Sequence, residues 1–306
     1  MSNKGTALSV SGLKKSYGIH EVISNLDLQI QQESIHGLVG LNGSGKTTSL
    51  ECMLGLQSVN GGDISILNYS PQQLHRANGD IVAIFDSPSL LPNLTVRQCM
   101  QHASLLCETP KRSPETVEQL LSIERFSNFK IKHLSLGNKR RASIAHALIG
   151  NPKMIILDEP FNGLDAEGVD DVLQLIKKLN KEEGTTFLLS SHQLPYLEQI
   201  CSHIAILDKG SIALNDKIET LLAQSSSGVL LQTDQQEKVI EFLENSTTAQ
   251  VVTTADPNYL QVTLTSIDSS QLNKMLVEQN IGINELILNR ASLGSLFREI
   301  TSEAAR

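Results

Sequence analysis

Glycine, lysine and threonine residues in the segment from Gly40 to Thr47 have the spacing of a phosphate-binding loop. The segment reads GLNGSGKT and matches the pattern G-x-x-x-x-G-K-[ST]. Glycines let the backbone curl and direct its N–H groups at phosphate oxygens, and a following helix presents its positive end to the same anion. We expect Lys46 to reach the β- and γ-phosphates of a nucleotide and the Thr47 hydroxyl to ligate Mg²⁺.

The surroundings of this loop favour nucleotide binding over a glycine-rich turn without a ligand. An apolar run precedes the loop at Ile35–Val39, and a helical pattern follows it from Thr48 to Leu56. The motif requires a strand before the loop and a helix after it. The predicted nucleotide-binding residues of this segment are Gly40, Asn42, Gly43, Ser44, Gly45, Lys46, Thr47 and Thr48.

Two adjacent acids end a second apolar run. Asp158 and Glu159 follow Met154–Leu157. We predict that Asp158 holds Mg²⁺, directly or through water, and that Glu159 is the general base that polarises an attacking water. An acidic strand end by itself is usually a turn, but the phosphate loop gives both carboxylates a use.

A histidine follows a third apolar run. His192 comes shortly after Thr186–Ser190. Because ligands of open α/β sheets collect at the carboxyl ends of parallel strands, the loop, the two acids and His192 are expected at one rim. The spacing alone leaves a catalytic and a structural role for His192 equally open.

The elements that must position these residues alternate between β-branched runs and helical patterns, which predicts an α/β fold. The three apolar runs are typical of parallel strands covered on both faces. The early strands alternate more in polarity and predict a smaller antiparallel sheet. Further strands are predicted at Ala7–Ser11, Val22–Ile30, Asp63–Leu67, Ile81–Phe85 and His203–Leu207.

Helical patterns occupy residues 87–150, which predicts a helical insertion between two strands of the main sheet. The candidate helices are Thr95–Cys107, Pro114–Leu121 and Leu136–Ile149. The sequence Gly150-Asn151-Pro152 ends the last of them.

The last quarter of the chain predicts a separate small α+β domain. Gln224–Gly228 is the predicted linker. The elements after it begin with a β-α-β-β-α-β order, which a split-βαβ, ferredoxin-like unit would show. We therefore predict a main domain over residues 1–222 and an accessory domain over residues 229–306. The accessory elements are predicted at Val229–Thr233, Gln236–Asn245, Gln250–Thr254, Tyr259–Thr265, Ser269–Glu278, Glu285–Leu288 and Ala291–Glu299.

Composition narrows the function classes. With 33 acidic and 25 basic residues the net charge is -8, whereas a nucleic-acid surface normally needs a basic excess. No apolar stretch reaches the roughly 18 residues of a membrane span, so action at a membrane requires a partner. The four cysteines are scattered without a C-x-x-C pair, which indicates neither a zinc site nor a disulfide framework.

Three further motifs follow in the order of a known family. Leu134–Asn138 (LSLGN) resembles an L-S-G-G-Q signature, Asn162–Asp165 (NGLD) resembles a D-loop, and His192 resembles a switch histidine. Together with the phosphate loop and the acidic strand, they make the chain similar to the ATP-binding subunits of ABC transporters from about Ala7 to Asp216. The variant motifs look most like bacterial drug- and bacteriocin-export systems.

The resemblance implies a RecA-like P-loop NTPase core that binds ATP and Mg²⁺ and works as a dimer. In this family two subunits meet head to tail, and each ATP lies between the phosphate loop of one and the signature of the other. Ser135 and Gly137 are then expected to contact the γ-phosphate bound in the partner, while Glu159 and His192 support hydrolysis. Tyr17 stands where the family places an aromatic residue against adenine; an exposed aromatic at a strand end is the alternative.

The implied partners are a second copy or a paralogue of the ATPase subunit and a separate membrane-spanning permease, with no nucleic acid. The implied location is cytoplasmic, peripheral on the inner face of the membrane through the permease.

Two departures from the family pattern matter. Leu136 and Asn138 replace a Gly and a Gln of the signature. Asp86 stands where the family has the Gln of its Q-loop. A carboxylate binds Mg²⁺ or water but donates no hydrogen bond unless protonated. Asp86 is therefore predicted as a metal ligand alongside Thr47 and Asp158.

Two other functions compete with transport. A non-transport ABC ATPase of DNA repair or the ribosome would show long coiled-coil insertions or two cassettes, and neither pattern is present in the sequence. A silent regulatory subunit is disfavoured because Lys46, Asp158, Glu159 and His192 are all present. The basic run Lys139–Arg141 is interpreted as a solvated helix start, with a docking patch as the alternative. The accessory domain carries no chemical motif; holding the partner and sensing a ligand remain alternatives, and it is expected to stabilise the dimer.

Overall fold

The continuously apolar runs of the sequence form neighbouring parallel strands. β3 (Ile35–Val39), β6 (Met154–Asp158) and β7 (Thr186–Ser191) are buried at every residue. β7 lies between the other two and is parallel to both. A strand with both faces buried needs apolar residues at every position, which explains why these runs do not alternate. The prediction of a buried parallel core is confirmed.

These strands belong to a sheet of nine strands. The other members are β1 (Thr6–Tyr17), β2 (His20–Gln31), β4 (Gly61–Ile66), β5 (Ile81–Ile84), β8 (His203–Asp208) and β9 (Ser211–Lys217). Their order in the sheet is β4-β1-β2-β9-β8-β3-β7-β6-β5. β1 pairs antiparallel with both β2 and β4, as predicted for the early strands. This antiparallel part continues into the parallel part, because Asn25 of β2 pairs with Ser211 of β9.

β9 is a strand that the sequence did not predict. It pairs antiparallel with β8 after a turn in which Lys209 and Gly210 have φ values of 45° and 78°. Its residues alternate between half-buried and exposed. Asn, Asp and Lys near its end are poor strand formers, so local propensity was too weak to reveal it.

The computed structural model describes residues 5–87, 89–224, 228–244, 246, 248–252, 258–289 and 292–303. The chain divides into two compact units, residues 1–218 and 219–306. The first unit therefore ends four residues before the predicted limit at residue 222. The central residues of the predicted linker, Ser225–Ser227, lie outside the described residues.

The helices of the first unit include the helix that follows the phosphate loop and the helices of the predicted insertion. They are α1 (Lys46–Met53), α2 (Val96–Leu106), α3 (Pro114–Leu120), α4 (Leu136–Ala147), α5 (Ala166–Glu183) and α6 (Leu194–Ile200). The next helix, α7 (Ile218–Gln224), has only Ile218 in the first unit. α2, α3 and α4 lie between β5 and β6, so the helical insertion is confirmed. Thr95, Ser113, Ser135 and Asp165 begin their helices by accepting a hydrogen bond from a backbone N–H of the first turn.

The second unit is a four-stranded antiparallel sheet with helices. Its elements are β10 (Gly228–Gln232), α8 (Gln236–Glu244), β11 (Ala249–Val252), β12 (Leu260–Leu264), α9 (Ser269–Glu278), β13 (Glu285–Asn289) and α10 (Leu293–Glu303). The strand order is β11-β12-β10-β13, which places the first strand between the third and the fourth, as in a split-βαβ unit. Val229, Leu231, Leu272 and Leu276 are fully buried in its core. The predicted ends at Asn245 and Thr254 and the predicted start at Ala291 lie outside the described residues.

Within the described part of the chain, no helix combines the length and the apolar character that crossing a membrane requires.

Candidate functional site

The phosphate loop connects the end of β3 to the start of α1 through backbone that requires glycine. Gly43 and Gly45 have φ values of 84° and 102°, a region that side chains rarely adopt. At Gly40 an added Cβ would lie 2.7 Å from the carbonyl oxygen of Leu207. The loop therefore curls tightly at the amino end of α1, which is the arrangement that anion binding needs.

Lys46 is folded back over this loop. Its Nζ donates hydrogen bonds to the carbonyl oxygens of Gly40 at 2.8 Å and Leu41 at 3.3 Å. Burial lowers the pKa of Lys46, and the charges of Glu159 and Asp158 oppose that shift. The ammonium is thus held at the mouth of the loop, where phosphate oxygens would replace carbonyls with stronger, charge-assisted contacts.

Asp158 presents a carboxylate oxygen suited to a cation. Its Oδ2 accepts a hydrogen bond from the hydroxyl of Thr47 at 2.8 Å. Its Oδ1 is buried and has no hydrogen-bond partner among the described residues. Burial and, more weakly, the charge of Glu159 raise the pKa of Asp158, while the hydroxyls of Thr47 and Ser190 and the charge of Lys46 act in the opposite direction. Burying a carboxylate oxygen without a partner costs free energy. The two carboxylate oxygens of Asp158 therefore fit a hard cation such as Mg²⁺.

The protein supplies only part of such a coordination shell. Among the residues that the structure describes, no three His, Cys, Asp or Glu side chains converge as a metal site. A magnesium ion at Thr47 and Asp158 would take its other ligands from phosphate oxygens and water, as is usual for Mg²⁺.

Glu159 is held by two neighbours from the next strand. Its Oε2 accepts a hydrogen bond from the hydroxyl of Ser191 at 3.0 Å, and its Oε1 lies 2.9 Å from Nδ1 of His192. Its backbone N–H donates to the carbonyl oxygen of Ser190 at 2.8 Å, and its φ is 49°. The same Oε1 lies 3.9 Å from Nζ of Lys46. A carboxylate fixed in this way is suited to accept a proton from water.

The predicted residues of the rim do come together. A cavity of 520 Å³ is lined by Val22, Asn42, Gly43, Gly45, Lys46, Thr47, Thr48, Asp86, Asp158, Glu159, Asn162 and His192. Val22 was missed because a valine within a strand carries no chemical signal. Asn162 belonged to the D-loop motif but had received no role.

Asp86 lies on this rim with its carboxylate engaged elsewhere. Its Oδ1 accepts hydrogen bonds from Arg140 at 2.8 Å and from Asn162 at 3.2 Å. The Asp86 side chain is 55% exposed, whereas Arg140 is 1% exposed. The interpretation of Lys139–Arg141 as a solvated helix start is therefore wrong for Arg140, which points into the protein because the chain after β5 offers it acceptors.

The signature residues line a different cavity. Ser135 begins α4 and accepts a hydrogen bond from the backbone N–H of Asn138 at 3.3 Å. A Cβ added at Gly137 would lie 2.9 Å from the carbonyl oxygen of Gly163, so the signature and the D-loop touch through their backbones. Ser135, Gly137 and Gly163 line a cavity of 560 Å³ that shares none of its lining residues with the phosphate-loop cavity.

Tyr17 ends β1 next to a buried lysine. The Tyr17 side chain is 46% exposed, and Nζ of Lys15 lies 4.5 Å from the centre of its ring. Lys15 is in turn fixed by a 2.7 Å hydrogen bond to the carbonyl oxygen of Ser58. The ammonium of Lys15 therefore contacts one face of the Tyr17 ring. Tyr17 is not among the residues that line the phosphate-loop cavity.

The sequence and the fold are both similar to known transport ATPases. The family described as "ABC transporter" matches residues 23–162. The chain is 31% identical over 299 residues to the ABC transporter ATP-binding protein YhaQ of Bacillus subtilis, covering 95% of this chain and 97% of that protein. It is 28% identical to the bacitracin transport ATP-binding protein BcrA of Bacillus licheniformis, covering 95% of this chain and 96% of that protein.

A solved structure shows a related cassette as a dimer. The ATP-binding cassette MJ0796, bound to ADP and phosphate in a post-hydrolysis state, superimposes with a TM-score of 0.63. The identity is 25%, and the match covers 69% of this chain and 98% of that one. These similarities favour transport over the DNA-repair and ribosomal alternatives. The phosphate loop, the acidic strand end and the near full-length relatives show that this chain belongs to the ATP-binding, ATP-hydrolysing subunits of ABC transporters.

Proposed function

We propose that this chain hydrolyses ATP in the cavity between the phosphate loop and the ends of β6 and β7, and thereby drives export through a separate permease. The position of Glu159 carries this proposal. Its carboxylate is fixed by Ser191 and His192 and lies beside Lys46 and Asp158. The same rim therefore combines a phosphate-binding ammonium, a cation-binding carboxylate and a candidate base.

Each residue of the rim has a chemical task. Backbone N–H groups of the loop and Lys46 bind the phosphates, while Thr47 and Asp158 would hold Mg²⁺. The ion, when bound, offsets the negative charge of the phosphates. Glu159 orients a water and accepts its proton, and His192, 2.9 Å from Glu159, keeps that carboxylate in place.

The separation of the two cavities supports a head-to-tail dimer. Ser135 and Gly137 do not line the cavity that holds Lys46, so one copy presents two different halves of a site. A hydroxyl and backbone N–H groups at the start of a helix are suited to an anion. We infer that the signature of a second copy or a paralogue completes each ATP site, in keeping with the dimeric related cassette.

Transport requires a membrane-spanning partner, since no helix in the described part of this chain is long and apolar enough to cross a membrane. The relative BcrA is named for bacitracin transport, so we infer export of a drug, peptide or lipid-like compound through a permease subunit. The chain would then work at the cytoplasmic face of the membrane. Its net charge of -8 fits this role better than binding to nucleic acid.

The proposal is tested by the molecular mass of Glu159→Gln in solution, with and without Mg·ATP. The amide keeps the size of the side chain but accepts no proton, so ATP should stay bound and the dimer should accumulate. Lys46→Ala serves as the blank because it removes the phosphate-binding ammonium. A shift from monomer to dimer that requires ATP and is absent in the blank supports the proposal. ATP binding by Glu159→Gln without any change of mass contradicts the homodimeric switch.

A further inference from the structure

A fully buried arginine holds the chain segment that follows β5. Nη1 of Arg140 donates to the carbonyl oxygen of Phe85 at 2.8 Å. Nη2 donates to the carbonyl oxygen of Asp86 at 2.6 Å and to its Oδ1 at 2.8 Å. One guanidinium on α4 thus fixes both the backbone and the side chain at residues 85 and 86.

Asp86 is the main carboxylate that balances the buried charge of this arginine. Burial lowers the pKa of Arg140, and the charge of Asp86 is the strongest influence that opposes the shift. The Nε–H of Arg140 has no partner among the described residues, and the charges of Asp158 and Glu159 oppose the shift less strongly than that of Asp86. Removing one member of a pair that contains a buried ion leaves an uncompensated charge.

Hydrogen bonds lead from this pair to the predicted base. Asn162 donates to Oδ1 of Asp86 at 3.2 Å and accepts from the side-chain amide of Gln193 at 3.0 Å. The backbone N–H of Gln193 donates to the hydroxyl of Ser191 at 3.1 Å, and that hydroxyl donates to Glu159. The path is continuous from α4, whose first turn carries the signature, to the carboxylate of Glu159.

We propose that Arg140 and Asp86 form a positioning pair that couples the orientation of α4 to the placement of Glu159 and His192. The inference rests on the proposed ATPase function and adds to it two residues that need not touch the substrate. Asp86 then acts through Arg140 and Asn162, and its metal-binding role becomes unnecessary. Because Ser135 caps the start of α4, a nucleotide that the partner binds against the signature would affect Glu159 through this path.

The test is a double-mutant cycle on the full chain with Asp86→Asn, Arg140→Gln and the double variant. kcat and KM for ATP are measured at a series of Mg²⁺ concentrations up to saturation, together with the melting temperature. Asp86→Asn should lower kcat by about tenfold to a hundredfold, the effect of a small displacement at a reacting centre. KM should change by less than about threefold, because ground-state binding is retained. The kcat of the double variant should be at least about threefold higher than the value expected if the two single losses multiplied, because both substitutions remove the same contact.

Glu118→Gln is the matched control. Glu118 is a fully buried carboxylate that accepts two 2.7 Å hydrogen bonds from Arg97 within the helical insertion. This variant should lower the melting temperature but leave kcat per folded molecule unchanged. If the kcat losses of the two single variants simply multiply in the double variant, the proposed coupling of Arg140 and Asp86 is contradicted. So does an Asp86→Asn defect that excess Mg²⁺ repairs, which would make Asp86 a metal ligand. Absence of turnover in the unsubstituted chain contradicts the proposed function itself and is recognised by that single measurement.

Discussion

The hydroxyl of Thr47 donates a 2.8 Å hydrogen bond to Oδ2 of Asp158, although the two residues are 111 positions apart in the chain. The contact joins the first turn of α1 to the end of β6. It leaves the second carboxylate oxygen, Oδ1, without a partner among the described residues. Two oxygens from distant parts of the chain are therefore side by side, at the place where we propose that Mg²⁺ binds.

We predict that Thr47→Ala weakens the apparent affinity for Mg²⁺ in ATP hydrolysis, because one of these oxygens is lost. The loss should be at least about tenfold, since even outer-shell partners of metal ligands have effects of that size. Thr47→Ser keeps the hydroxyl and serves as the control. The measurement is the ATPase rate against Mg²⁺ concentration, and identical curves for Thr47→Ala and the unsubstituted chain would contradict the assignment.

Tyr17 provides a prediction about the base of the nucleotide. If its ring stacks on adenine, Tyr17→Ala should weaken ATP binding by roughly 1–3 kcal/mol, as stacking on nucleic-acid bases does. Tyr17→Phe keeps the ring and should bind nearly as well. Equilibrium titration with ATP compares the three proteins. Equal affinities would instead assign Tyr17 to an exposed strand end that lies against Lys15.

Gly137 provides a prediction about the signature. Its missing side chain allows the backbone of the signature to approach the carbonyl oxygen of Gly163, so Gly137→Ala must push the two segments apart. We expect this variant to lose ATP-driven association in the Glu159→Gln background while its nucleotide binding as a monomer remains. Association is measured as the molecular mass with Mg·ATP.

Gly150→Ala is the control for this substitution. A Cβ at Gly150 would meet only Sγ of Cys107, at an ordinary contact distance of 3.4 Å. The control should associate normally. If Gly137→Ala associates as well as Gly150→Ala, the signature does not contribute to the dimer interface.

His36 makes stability depend on pH. It is buried in β3, its ring stacks on His203 with 5.5 Å between ring centres, and its Nε2 lies 3.1 Å from Oδ1 of Asn215. Burial first, and then the charge of His203, lower the pKa of His36 to about 4, while the Asn215 hydrogen bond acts in the opposite direction. The unfolded chain has a pKa near the ordinary value of about 6.5, so it binds more protons than the folded protein between these values.

The free energy of unfolding should therefore be highest above about pH 6.5 and fall as the pH drops towards 4. His36 should account for about 2 kcal/mol of the fall in the free energy of unfolding between pH 8 and pH 5. Urea unfolding at both pH values measures it. His36→Gln should reduce this difference, although burial also lowers the pKa of His146 and His203. An unchanged pH dependence in the variant would show that His36 is not the responsible group.

Several features of this protein follow from the sequence by itself. The phosphate loop could be recognised because its conformation depends on local backbone freedom, which glycine at positions 43 and 45 provides. The rim of Lys46, Asp158, Glu159 and His192 could be predicted because parallel strands bring their carboxyl ends to one edge. Continuous apolar runs sufficed to identify β3, β6 and β7, since burial on both faces leaves no alternation.

Only the tertiary structure decided which distant groups pair. Arg140 looked like an exposed member of a basic run, but acceptors 54 and 55 residues earlier in the chain draw it inside. The same packing gives Asp86 a partner that its place in the sequence did not suggest, and it separates Ser135 from Lys46 into different cavities. The spacing of residues along the chain indicates the local backbone conformation and which side chains share a face. Which distant side chains pair depends on how the helices and strands pack.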